Sequence, residues 1–197
     1  MNIGIIGAGA MGSGIAQVAA TAGEEVMVFD TNAASLDKAS AKVNKLFDRL
    51  VEKEKYTRDD ADAILGRITF IDSMDYLENS DLIIEAIIEN LEVKQSVFSK
   101  LEEIVSPTCI LASNTSSLSI ASISSACKNP ERVVGIHFFN PAPLMKLVEV
   151  IPSITTSQEV TDKAKSTIDS WKKVTALVKD TPGFIVNRVA RPFYGES

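Results

Sequence analysis

One histidine stands in the whole chain, His137, inside the apolar run VVGIHFFNPAPLMKLVEV from Val133 to Val150. Imidazole is the one side chain that ordinarily titrates near neutrality, which makes it the usual proton shuttle. A lone histidine in an apolar stretch is also often a packed core residue, so its neighbours decide. Glu149 lies in the same run. If the chain turns back about Pro143, positions whose numbers sum to 286 face each other, which pairs His137 with Glu149. A buried glutamate needs a partner. A carboxylate beside an imidazole raises its basicity and fixes its tautomer, the arrangement of a general acid/base.

A second group of residues has the spacing of a nucleotide turn. GAGAMG, that is Gly7, Ala8, Gly9, Ala10, Met11 and Gly12, is G-x-G-x-x-G directly after an apolar strand and at the start of a helix, and Asp30 closes the next strand. In that context the pattern is a dinucleotide fingerprint. Gly7 permits the tight turn, Gly9 lets the backbone approach a pyrophosphate, and Gly12 lets helix and strand pack closely. The helix N-terminus supplies unpaired N–H groups. Asp30 accepts from ribose hydroxyls and repels a 2′-phosphate, and Thr31 and Asn32 add no cation, so NAD is expected over NADP. The competing reading is a glycine-rich turn with no ligand.

Two further clusters fall at strand ends, where doubly wound sheets bind ligands. ASNTSSL, Ala112 to Leu118, offers hydroxyls and an amide; alternatively it caps the next helix, through Ser117. EAIIENLEVK places Glu89 and Lys94 just beyond a strand, or simply puts acidic residues at a helix start. Lysines 38, 42, 45, 53 and 55 crowd the first long helix, either as a solvated face or as contacts to a ligand phosphate.

These residues need a scaffold. Short apolar runs alternate with helical segments: NIGIIGAG, EVMVFD, RITFID, DLIIEAI, CILASN, RVVGIHFF, LMKLVEVI and TALVKD read as strands. A helix runs from Thr31 to Lys55 with a stripe of Leu36, Val43, Leu46, Leu50 and Val51; others start at caps Thr57 and Ser157, and one stops at Gly23. The pattern predicts an α/β fold with a mostly parallel, doubly wound sheet covered on both faces. The apolar helix of PGFIVNRVARPFYGES leaves Phe184, Ile185, Val189 and Phe193 with little to bury against, so a following helical domain is expected to be missing. The expected division is a dinucleotide-binding domain over 1–182 and the first helix of another over 183–197.

The 197 residues carry a net charge of -6, which argues against general nucleic-acid or anionic-membrane binding. Two cysteines, Cys109 and Cys127, form neither a disulfide framework nor a metal pattern, and Cys109 is expected to pack in its strand. The first residues already read as strand, with no charged leader, and no stretch is long and apolar enough to span a membrane. A cytoplasmic protein is expected.

Taken together, GIIGAGAMGSGIAQ, EAIIENLEVK, LASNTSSLSI, GIHFFNPAPLMKLVEV and DTPGFIVNRV make the chain resemble the L-3-hydroxyacyl-CoA dehydrogenases, nearest to the bacterial 3-hydroxybutyryl-CoA dehydrogenases. The resemblance covers nearly the whole chain, in family order. It implies a Rossmann-type fold and NAD-dependent interconversion of 3-hydroxyacyl-CoA and 3-ketoacyl-CoA. His137 would take the hydroxyl proton while hydride leaves C3 for the nicotinamide, and Glu149 would orient and charge-balance it. Ser116 and Asn187 would hold the substrate oxygen and organise the site. Ser116, Asn140, Glu89 and Lys94 would line the nicotinamide end of NAD, and Lys53 would contact coenzyme A. It also implies a C-terminal helical domain, absent here beyond its first helix, that forms a dimer. Two alternatives stay open: a related NAD-dependent dehydrogenase of another hydroxy or sugar acid, and a non-catalytic NAD-binding scaffold. No metal site is expected.

Overall fold

The apolar runs pair into one eight-stranded sheet in the computed structural model, which describes residues 1–189. In chain order the elements are β1 (Asn2–Ile6), α1 (Ala10–Thr21), β2 (Glu25–Phe29), α2 (Ala33–Glu52), α3 (Arg58–Leu65), β3 (Ile68–Ile71), β4 (Leu82–Glu85), α4 (Leu91–Ile104), β5 (Ile110–Ser113), α5 (Ile120–Ser124), β6 (Val133–Phe138), β7 (Leu147–Pro152), α6 (Gln158–Ser170) and β8 (Val174–Leu177). Strand order is β3-β2-β1-β4-β5-β6-β7-β8. Strands β1 to β6 pair in parallel; β7 runs antiparallel to β6, and β8 is parallel to β7. The order reverses between β1 and β4, the switch point where such sheets open a crevice at their carboxyl ends.

The central strands are apolar on both faces because both are covered. β4 is wholly buried between β1 and β5. One core packs Ile3, Ile5, Val28, Ile84 and Ile136 against α1, α2, α3 and α6. The other packs Ile6, Ile83, Leu111 and Val133 against α4 and α5. Side-chain alternation along a strand divides neighbours such as Ile83 and Ile84 between the two.

Local signals set most helix ends. Thr57 and Ser157 cap α3 and α6 by accepting from Asp60 N–H and Val160 N–H. At the end of α1, Gly23 N–H donates to Ala20 O and Glu24 N–H to Ala19 O, a Schellman closure. Three expectations are corrected. Leu46 lies on the exposed side of α2, and Phe47 takes its core place. The cap of α5 is Ser119, which accepts from Ser122 N–H; Ser117 donates instead to Glu89. Phe184 is fully buried against the site rather than unpartnered. Ile185 and Val189 are exposed as expected, and Phe193 lies outside the described residues. Among the described residues, no helix is long and apolar enough to cross a membrane and no acidic, histidine or cysteine cluster could hold a metal. Cys109 is buried, and burial pushes its thiol up to about 12.

Candidate functional site

The turn after β1 is shaped for an anion. Gly7 has φ 106°, a left-handed conformation, and a Cβ there would sit 2.7 Å from the Ala86 carbonyl oxygen. A Cβ on Gly12 would lie 1.8 Å from the Gly7 carbonyl oxygen, so the tight approach is within the turn itself more than between helix and strand. Nothing lies within 4 Å of a Cβ on Gly9, where a ligand can come against the backbone. The helices α2 to α6 all carry a side-chain cap, whereas α1 begins at Gly9 with none. Its first-turn N–H groups therefore stay available to a phosphate. Gly12→Ala forces either the turn or α1 to move, and the expected result is loss of NADH binding in a fluorescence titration together with a lowered Tm.

Asp30, at the end of β2, accepts from Ala8 N–H at 2.8 Å and from Asn32 N–H at 2.9 Å. These bonds fix its carboxylate beside the turn. A cavity of about 520 Å³ opens next to it, lined by Gly7, Gly9, Asp30, Ile87, Ile88, Val93 and Val97. Apolar walls beside a carboxylate and open N–H groups suit an adenine, its ribose and its phosphates. The residues present therefore fit NAD.

At the ends of β4 and β5 lies a buried charge network. Lys94 and Glu85 have side chains 1% and 0% exposed and meet at 2.6 Å. Glu85 also accepts from Ser113 Oγ at 2.7 Å and Ile87 N–H at 2.8 Å. Lys94 reaches Glu89 at 3.3 Å. Glu89 in turn accepts from Thr115 Oγ1 at 2.6 Å, Ser116 N–H at 3.0 Å and Ser117 Oγ at 3.2 Å. Burial pushes the Glu89 carboxyl up, but the Thr115 hydroxyl, the Lys94 charge and the Ser116 N–H outweigh it and hold the group below the usual carboxylate range. Glu85 escaped sequence reasoning. The argument that found Glu149, a carboxylate in a strand buried on both faces, applies equally to it.

The antiparallel pairing of β6 with β7 sets His137 opposite Glu149, the register read from Pro143. His137 Nδ1 and Glu149 Oε2 are 2.8 Å apart, both side chains buried. The imidazole lies against Phe139 and Phe184, with ring centroids 4.5 and 5.9 Å away. The other Glu149 oxygen accepts from Ile185 N–H at 3.0 Å and Val186 N–H at 2.9 Å. Asn187 Nδ2 donates to the Ser116 carbonyl at 3.0 Å, so the chain after β8 joins His137, Glu149, Ser116 and Asn187 into one group. Asp180 braces that chain, accepting from Ser119 Oγ, Ile120 N–H and Ala121 N–H. Asn114 Oδ1 accepts from Phe138 N–H and ties the Ser116 loop to β6. Neither Asp180 nor Asn114 carried a sequence signal beyond its motif.

Asn140 and the basic helix meet elsewhere on the same edge. A cleft of about 280 Å³ between α1, α2 and the loop after β6 is lined by Asn140, Pro141, Lys42, Lys45 and Arg49. Lys53 is the C-cap of α2, one turn beyond Arg49 and outside that lining.

Residues 2–181 match the family described as "3-hydroxyacyl-CoA dehydrogenase, NAD binding domain". A 3-hydroxyadipyl-CoA dehydrogenase of Escherichia coli is 44% identical over 196 residues, covering 100% of this chain and 41% of the relative. A 3-hydroxybutyryl-CoA dehydrogenase of Clostridioides difficile is 41% identical over 197 residues, covering 100% of this chain and 70% of the relative. The crystal structure of (S)-3-hydroxybutyryl-CoA dehydrogenase from Ralstonia eutropha superposes with TM-score 0.96 at 39% identity, covering 99% of this chain and 69% of that one. The chain thus spans between two fifths and about 70% of the length of these relatives. A Rossmann-type sheet with an uncapped glycine turn, fitted to NAD and matched over residues 2–181, shows that the chain belongs to the 3-hydroxyacyl-CoA dehydrogenase family of NAD-binding domains.

Proposed function

We propose that this chain supplies the cofactor site and the acid/base pair of an NAD-dependent dehydrogenase that interconverts 3-hydroxybutyryl-CoA and acetoacetyl-CoA. The observation that carries the reading is the buried His137–Glu149 contact of 2.8 Å at the carboxyl edge of the sheet. With Nδ1 engaged by Glu149, Nε2 is the nitrogen available to a substrate hydroxyl. His137 accepts the hydroxyl proton as the alcohol is oxidised and returns it to the carbonyl oxygen in reduction. Glu149 holds the tautomer and balances the imidazolium. NAD, when bound, accepts or supplies the hydride. Ser116 and Asn187 position the substrate oxygen, and Glu89, Ser116 and Asn140 line the nicotinamide end; Lys94, expected there from the sequence, is buried behind Glu89 and acts only by holding that carboxylate. Gly7 to Gly12 and Asp30 hold the pyrophosphate and adenosine ribose, and Lys53 contacts coenzyme A with Lys42, Lys45 and Arg49 nearer the cleft. Residues 1–182 form the NAD-binding domain, and the turn at Gly183 and Phe184, both at positive φ, starts the next element. A cytoplasmic setting belongs to the same reading and is supported by the free thiols of Cys109 and Cys127.

The test is NADH oxidation followed by absorbance with acetoacetyl-CoA and with 3-oxoadipyl-CoA, on this chain and on this chain continued by the C-terminal remainder of the Clostridioides difficile relative. Turnover of the continued chain with acetoacetyl-CoA supports the reading. NADH binding with no turnover on either thioester favours a scaffold, and turnover confined to free hydroxy or sugar acids favours the related dehydrogenases. Preference for the adipyl thioester moves the substrate to a dicarboxylic acyl chain. In the same titrations Asp30→Ala weakens NADH binding about tenfold to a hundredfold, the loss expected for hydrogen bonds to a charged group worth roughly 1.5–3 kcal/mol.

A further inference from the structure

Glu149 is held at both ends, and only one end belongs to the acid/base pair. Its Oε2 faces His137 Nδ1, while its Oε1 receives two backbone N–H groups, those of Ile185 and Val186. Glu149 is 1% exposed, so no water competes for those bonds. A carboxylate with two donors on one oxygen cannot rotate about its Cγ–Cδ bond without breaking both, and buried polar groups left unpaired are costly. The other oxygen is thereby fixed in the direction of the imidazole.

We infer that the N–H groups of Ile185 and Val186 are positioning groups for the acid/base pair: they aim Glu149 at His137 Nδ1 and so fix the imidazole as the Nδ1–H tautomer, with Nε2 free for substrate. These donors come from the chain after β8, outside the two strands that carry the pair. Asn187, the next residue but one after Ile185, bonds the Ser116 carbonyl, so the same four-residue stretch registers both halves of the site. Phe184, buried against the imidazole, packs the stretch in place. The acid/base name rests on the dehydrogenase reading; the positioning itself does not, and it is tested without turnover.

His137 is the only histidine in the chain, so imidazole-labelled protein gives one unambiguous signal. The tag-free 197-residue chain, labelled with ring-¹⁵N histidine, is compared with Val186→Pro at a pH where the ring is neutral. The Val189 N–H bond to the Ile185 carbonyl makes residue 186 the first helical position, where proline is tolerated and only the N–H is lost. The wild type shows the Nδ1–H form alone. Val186→Pro shows a mixture with the Nε2–H form, shifted toward the spectrum of Glu149→Gln. A wild-type tautomer in a folded Val186→Pro overturns the inference. A measurement on the unaltered chain guards against misfolding: the amide protons of Ile185 and Val186 move with the midpoint of the His137 titration, relayed through Glu149. Amide shifts that stay flat across that titration also overturn it. If the continued chain shows no His137-dependent turnover, the dehydrogenase reading fails while the tautomer result stands by itself.

Discussion

His137→Gln, in the chain continued by the relative's C-terminal remainder, is expected under the proposed dehydrogenase reading to lower turnover of 3-hydroxybutyryl-CoA by about 10²- to 10⁴-fold, the range lost with a general acid/base, and to leave NADH affinity unchanged. Glutamine keeps much of the imidazole's volume and can still donate to Glu149, so the pocket between Phe139 and Phe184 stays filled. What it cannot do is take up and return a proton. The acidic limb of the pH–rate profile for alcohol oxidation, where a protonated imidazole stops accepting, therefore disappears from the residual rate. Initial rates in both directions, with NADH titrated separately, check this. A variant that keeps the wild-type rate and its acidic limb assigns the proton transfer to another group and returns His137 to a packing role.

Lys94→Met unfolds the protein far more easily, by about 3–5 kcal/mol, the cost of leaving one partner of a buried ion pair alone. Glu85 would retain Ser113 Oγ and the Ile87 N–H but would lose its only cationic partner among the described residues, in a strand with no exposed face. In a domain of this size that corresponds to a Tm lowered by roughly 6–20 °C. Urea unfolding of the wild type, of Lys94→Met and of the double variant Glu85→Gln/Lys94→Met measures it. The double variant recovers much of the loss, because removing both charges removes the uncompensated one. If the single variant is as stable as the wild type, the network at the ends of β4 and β5 is not a closed ion pair in solution. The half-exposed pair of Lys94 with Glu89 is worth much less, since solvent screens it.

Much of this site was legible because its determinants are local or periodic. GAGAMG specifies a turn through the few conformations its glycines allow and the clash that any side chain at Gly12 would create. Asp30 follows from the length of one helix and one strand. The His137–Glu149 register matches a reversal centred on Pro143, although the eight residues between β6 and β7 do not by themselves impose it and both strands are apolar on both faces. The resemblance to a known family added roles for Ser116, Asn187, Glu89 and Lys94 that spacing alone did not give.

What escaped was non-local. Glu85 is a glutamate in an apolar run until β1 and β5 close over it; only then must Lys94 and Ser113 answer its charge. Phe184 looked unburied because the surface it covers is made by β6 and β7. Leu46 and Phe47 exchanged places because a helix stripe fixes a face only to within one residue until its neighbours are in position. The chain alone determined the order of strands and helices, the nucleotide turn with its Asp30, and the one histidine available to move a proton, because each is a property of adjacent residues or of one reversal. The tertiary structure alone decided that Glu149 is gripped by Ile185 and Val186 from the chain after β8, that Asp180 braces that grip, and that Glu85 ties together the ends of β4 and β5. Burial sets the value of a hydrogen bond or a charge, and burial is settled only when distant segments meet.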